Sequence, residues 1–231
     1  MRDSVSREIE EVREIIAETA SRAGRDPSDV KLMAVTKSVD DERIMEAIEA
    51  GVDMIGENYV QEAKRKIEKM GRKVPWHMIG HLQTNKAKYA VRLFDLVHSV
   101  NRIGLAQELA RRSSQAGLVS RVLIEVNLSG EPTKSGAPPD QALSLIRECS
   151  RIPGLSIQGL MTMAPWSDNP EDARPIFRGL RQLRDRISGE KIEGISMKEL
   201  SMGMSDDFQV AIEEGATIVR IGRRLFGERQ K

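Results

Sequence analysis

Along the chain, short β-branched or apolar runs alternate with longer segments whose apolar positions recur every three or four residues, the patterns of strands and amphipathic helices. The longer segments close at Gly51, Gly71, Gly117, Gly154 and Gly215, as helices do when the chain must leave the right-handed region. The pattern predicts an opening helix over residues 3–23 and strands over 31–37, 53–57, 76–81, 95–100, 121–127, 156–163, 199–203 and 217–221. Eight parallel strands separated by helices close naturally into a (β/α)8 barrel of about 250 residues, which matches a chain of 231. The expectation is an α/β protein, a single TIM-type barrel with an extra N-terminal helix, forming one domain over residues 1–231. An open doubly wound sheet is the alternative. Its usual dinucleotide mark, a Gly-x-Gly-x-x-Gly turn after the first strand, is absent.

Composition narrows the partners. Thirty-six basic and 35 acidic residues give a net charge of +1, with no block of like charge to track a phosphate backbone, so nucleic acid is not an expected partner. The single Cys149 forms no internal disulfide framework, and no positively charged leader with an apolar run precedes the acidic opening helix. No apolar stretch approaches the roughly 18 residues needed to span a bilayer. The expectation is a cytoplasmic chain without membrane contact.

A barrel gathers functional groups where its strands end. Lys37 closes the run Leu32-Met33-Ala34-Val35-Thr36-Lys37-Ser38, and an amine partly desolvated by apolar neighbours can lose its proton and attack an aldehyde. A solvated lysine opening a loop is the plainer reading. Further strand ends carry Glu57-Asn58, His81, Ser99 with Asn101, Asn127, Ser201 with Ser205, and Arg220-Ile221-Gly222, although each alone has a capping or structural explanation. The stretch from Ser201 to Asp207 offers small residues, two hydroxyls and a helix start suited to a phosphate, while Asp206 and Asp207 equally suit simple helix capping. Gly222 permits close ligand approach after the last strand, and loops after strands seven and eight are where barrels commonly bind phosphate. The charged run Glu62-Ala63-Lys64-Arg65-Lys66 reads as a solvated helix face, and the insertion Ala164–Pro170 as a rim or a cover for the barrel edge.

Several segments together resemble one family. They are Ala34-Val35-Thr36-Lys37, the stretch Gly56–Glu62, the stretch Trp76–Lys86, Gly159-Leu160-Met161-Thr162-Met163, the stretch Leu200–Asp207, and Val219-Arg220-Ile221-Gly222. In order and spacing they resemble the pyridoxal phosphate homeostasis protein family over nearly the whole chain. The resemblance implies a pyridoxal 5′-phosphate-binding barrel related to the N-terminal domain of alanine racemases, with the cofactor held as a Schiff base on Lys37. It places Ser201 and Ser205 at the phosphate, the backbone amides of Gly222 and Arg223 beside it, Arg220 at the pyridine nitrogen, and Asn58 and His81 beside the ring. Lys134, in the loop from Asn127 to Gly136, is either a secondary contact or part of a solvated loop.

The implied role is a carrier or buffer in intracellular cofactor homeostasis, with pyridoxal 5′-phosphate and the apoenzymes that depend on it as partners, and the chain acting as a monomer. No catalytic residue and no metal ligand is assigned. An arginine donates a hydrogen bond to the ring nitrogen but does not protonate it, which weakens the ring as an electron sink. Racemases of the related fold tolerate arginine but take a second acid–base tyrosine from a separate β-domain. That domain is expected to be absent here, because the chain stops at Lys231. Neither Tyr59 nor Tyr89 is assigned its role. Two alternatives stay open: a weak racemase-like enzyme using Lys37 with Tyr59 or solvent, and a sugar-phosphate-binding barrel in which Lys37 is an ion-pairing residue.

Overall fold

A computed structural model describes residues 4–131 and 134–227. The chain enters through helix α1 (Val5–Arg22), followed by β1 (Lys31–Val35), α2 (Asp41–Glu49), β2 (Met54–Glu57), α3 (Val60–Met70), β3 (Trp76–Met78), α4 (Ala87–Leu93) and β4 (Leu96–Val100). It continues through α5 (Ile103–Gln115), β5 (Ser120–Glu125), α6 (Ala142–Ser150), β6 (Leu155–Met161), α7 (Arg174–Gly189), β7 (Ile195–Ser201), α8 (Phe208–Glu213), β8 (Ile218–Ile221) and α9 (Arg223–Phe226). All pairings are parallel, and the strands close in sequence order with β8 returning to β1. The expected α/β barrel with an added N-terminal helix is therefore the fold; the expected helix start at residue 3 lies outside the described residues.

Both faces of each strand are covered, which is why the strands read as nearly continuous apolar runs. Side-chain alternation divides those runs between two cores. Leu32, Ala34, Val122, Ile124, Val219 and Ile221 face outward and join the large core under the helices. Met33, Met54, Leu96, Leu123, Met161 and Ile218 fill the barrel interior. The stripe Val5, Ile9, Val12, Ile16 and Ala20 on α1 is buried at helical spacing against this shell, where a side chain such as Ile9 contributes roughly 1.5–3 kcal/mol.

Strand ends depart from the sequence pattern, each for a local reason. β1 stops at Val35 instead of 37, because Thr36 and the positive-φ Ser38 turn the chain out of the sheet. β3 stops at Met78 instead of 81. There Gly80 lies against the backbone of Asn58 so closely that a Cβ would sit 2.5 Å from the Asn58 carbonyl oxygen. β7 begins at Ile195, earlier than expected, and its partner β6 accommodates it with a register shift between Ile157 and Gly159. No helix among the described residues is long and apolar enough to cross a membrane.

Candidate functional site at the barrel mouth

The pairing of β1 with β8 sets the site. Met33 lies opposite Arg220 and Ala34 opposite Ile221, so the next pair brings Val35 beside Gly222. The two backbones approach closely enough that a Cβ on Gly222 would stand 3.3 Å from Val35 Cβ. The exit of β8 thus borders the turn that carries Lys37, which is half-buried.

That turn is fastened from behind by buried charges. The Thr36 hydroxyl donates to Glu57 Oε1 at 2.6 Å, and Lys66 Nζ donates to the Thr36 carbonyl at 2.6 Å, to Glu57 Oε1 at 2.7 Å and to Glu62 Oε1 at 2.7 Å. Glu62 Oε1 also accepts from the Ser38 amide at 2.7 Å. The side chains of Lys66 and Glu57 are fully buried. Burial raises the Glu57 carboxyl above its ordinary pKa, while the Lys66 ammonium and the Thr36 hydroxyl oppose that shift. This corrects the reading of Glu62–Lys66 as a solvated face. Lys64 and Arg65 are exposed as expected, with Lys64 near Glu68 and Arg65 paired with Asp41, but Lys66 turns inward because β2 ends in an acid that meets α3.

Beneath the mouth runs a second polar chain, across the barrel interior. Arg220 donates from one guanidinium nitrogen to Ser201 Oγ at 2.7 Å and from the other to the Thr162 carbonyl at 2.8 Å. Ser201 Oγ and His98 Nδ1 lie 2.9 Å apart, and His98 Nε2 and His77 Nδ1 lie 3.0 Å apart. One proton bridges each of these last two pairs, so neutral rings satisfy the chain in either direction. Burial, reinforced by His77 and Arg220, holds the pKa of His98 far below its ordinary value, and burial lowers that of His77 to about 4. Both rings are therefore neutral at pH 7. Burial also lowers Arg220 to about 10, against the pull of Asp207 and Glu125, so it remains a cation. Glu125 follows Leu123 on the inner face of β5, and burial pushes it up to about 7, with Arg220 opposing. Sequence reasoning missed His77, His98 and Glu125. Their inward parity with Leu96 and Leu123 was the available signal for the latter two.

The strand-seven and strand-eight exits form the other wall. Gly203 has φ +91°, and a Cβ there would lie 2.6 Å from Ala211 Cβ. The Asp207 carboxylate folds back to accept the Met204 amide at 2.6 Å, and Asp206 pairs with Arg223. Ser205 Oγ accepts the Arg224 amide at 3.4 Å, which links this loop to the start of α9 beside Gly222 and Arg223. The structure thus brings Lys37, Ser201, Ser205, Arg220, Gly222 and Arg223 to adjoining strand exits, with the Ser201 hydroxyl turned inward to Arg220.

Asn58 follows β2, and its Oδ1 is buried without a partner among the described residues. His81 is exposed, three residues beyond β3. Ser99 lies within β4 and is buried, and the Asn127 side chain bonds the Glu131 carbonyl and Ser129 of its own loop. Lys134 is exposed. Trp166 is 69% exposed, so it does not cover the barrel edge.

Residues 9–230 match the family model described as alanine racemase, N-terminal domain. A pyridoxal phosphate homeostasis protein of Aquifex aeolicus is 46% identical over 223 residues, covering 96% of this chain and 97% of its own length. The chain belongs to this family. Another member, from Escherichia coli K12, is 36% identical over 232 residues, covering 98% of this chain and 97% of its own. The family assignment made from the motifs therefore agrees with full-length similarity. Among solved structures, PipY of Synechococcus elongatus PCC7942 with pyridoxal phosphate bound is 35% identical with a TM-score of 0.81, covering 92% of this chain and 100% of PipY. An alanine racemase of Clostridium difficile 630 shares the barrel at a TM-score of 0.77 and 15% identity, covering 100% of this chain and 58% of the racemase.

Proposed function

We propose that this chain binds pyridoxal 5′-phosphate covalently and reversibly through Lys37, and serves its homeostasis as a carrier or buffer. The observation that carries the reading is the β1–β8 register, which sets a buried guanidinium and a close-approach glycine beside the turn of a half-buried lysine. The residues present fit the group. The Lys37 amine would meet the aldehyde, the Arg220 cation the ring nitrogen, and the Ser205 hydroxyl with the amides at the start of α9 the phosphate, while Asn58, which follows β2, offers a buried Oδ1 with no partner among the described residues. When bound, the cofactor supplies an aldehyde that condenses with amines and a ring that withdraws electrons.

Within this proposal, Lys37 supplies the nucleophilic nitrogen and Arg220 donates a hydrogen bond to the ring nitrogen. Ser205 and the amides of Gly222 and Arg223 receive the phosphate, with Ser201 beneath them holding Arg220. Asn58 and His81 flank the ring from the exits of β2 and β3. The buffer acts as one cytoplasmic domain and a monomer, and passes its cargo to apoenzymes that require it. Holding a reactive aldehyde on one lysine limits its encounter with exposed amines elsewhere.

Racemase-like catalysis is the less favoured reading. Arg220 cannot protonate the ring. Tyr59 stands 62% exposed and Tyr89 lies on α4, so neither is placed under cover as a second acid–base group. The test is the visible spectrum on adding pyridoxal 5′-phosphate. The wild-type chain should gain a long-wavelength band that Lys37→Ala lacks, whereas identical spectra would defeat the proposal.

A further inference from the structure

We propose that Lys66, acting with Glu57 and Glu62, is a positioning set that fixes the direction in which Lys37 presents its amine. The inference rests on the proposed covalent role of Lys37. Its basis is the arrangement of hydrogen bonds around that residue and the cost of building it.

An ammonium has three N–H donors, and all three of Lys66 are engaged, by the Thr36 carbonyl, Glu57 and Glu62. The residue before Lys37 is thereby held at its carbonyl by Lys66 and at its hydroxyl by Glu57. The residue after it, Ser38, is held at its amide by Glu62 in a left-handed conformation with φ 59° that a non-glycine residue adopts only against a penalty. With both neighbours fixed, the Cα–Cβ bond of Lys37 has one direction. Glu62 and Lys66 stand one turn apart on α3, and Glu57 ends the preceding strand, so one βα unit supplies the whole clamp.

Stability alone does not account for it. Desolvating an ion pair about cancels its attraction, and apolar side chains of similar volume would fill the space as well. What apolar side chains would not do is accept the Ser38 amide or donate to the Thr36 carbonyl. Directed presentation of an amine raises its effective concentration toward a carbonyl held nearby, and misplacement of about 1 Å costs on the order of 100-fold in rate.

The test compares wild type, Glu62→Ala and Glu62→Gln. Removing Glu62 leaves Lys66 still paired with Glu57, so neither variant isolates a buried charge. Two quantities are measured on the full chain: the rate of Lys37 modification by pyridoxal 5′-phosphate, trapped with borohydride, and the affinity for pyridoxine 5′-phosphate, which lacks the aldehyde. Glu62→Ala should slow modification at least about tenfold with pyridoxine 5′-phosphate affinity unchanged, and Glu62→Gln, which keeps an acceptor for Ser38, should restore most of the rate. The double variant Lys66→Met/Glu57→Gln, which removes the fully buried pair and leaves only the partly exposed Glu62 carboxylate unpaired, should likewise slow modification with pyridoxine 5′-phosphate affinity unchanged. Equal rates in wild type and Glu62→Ala, or a parallel loss of pyridoxine 5′-phosphate affinity, would overturn the inference alone. A wild-type Lys37 that is never modified would overturn the proposed function, and the inference with it.

Discussion

Ser201→Ala probes the chain of hydrogen bonds that orients Arg220. The Ser201 hydroxyl accepts one guanidinium N–H at 2.7 Å and shares a proton with His98 Nδ1 at 2.9 Å, all within the barrel. Removing it strands a charged donor, worth about 1.5–3 kcal/mol, and a neutral ring nitrogen, worth about 1 kcal/mol. Relaxation of the Arg220 side chain toward the Thr162 carbonyl recovers part of this, so a net loss of about 2–3 kcal/mol is expected at pH 7, where Arg220 is charged. Urea unfolding should show it as a fall of about 1 M or more in midpoint with an unchanged slope. His98→Phe in the same background should lose less than the sum of the two single variants, because both remove one shared contact. A loss below about 0.5 kcal/mol with full additivity would mean that the hydroxyl bridges nothing that matters.

Glu125 gives a pH-dependent test. Its carboxyl binds a proton more tightly folded than unfolded, so its contribution is complete below about pH 4.5 and is lost as pH rises toward about 7, by roughly 2–3 kcal/mol. Glu125→Gln should therefore gain stability relative to wild type across that window and plateau above it; parallel stability curves for the two proteins would sink this assignment. Gly203→Ala places a Cβ 2.6 Å from Ala211 Cβ at φ +91° and should cost about 2–4 kcal/mol, read as a lowered melting temperature and weaker inorganic phosphate binding. An unchanged melting temperature would show that the loop yields freely.

Periodicity made the eight strands and the opening helix legible, because burial on both faces leaves apolar runs that only helices interrupt. The rule that a barrel gathers functional groups at its strand ends also grouped Lys37, Arg220 and Gly222, and the pairing of β8 with β1 then set them side by side. Strand ends were less legible: Gly80 against Asn58 and Ser38 at positive φ depend on contacts between separate segments. Lys66 looked like its exposed neighbours Lys64 and Arg65, because a charge run does not reveal which member meets an acid from another element. His77 and His98 likewise sit among apolar strand residues. Only closure of the barrel turns two isolated polar positions into a continuous path ending at Arg220.

The most direct measurement is peptide mass spectrometry after the chain is mixed with equimolar pyridoxal 5′-phosphate and reduced with borohydride. The account expects one phosphopyridoxyl group, carried by the peptide containing Lys37. A label spread over surface lysines, with that peptide unmodified, would contradict it.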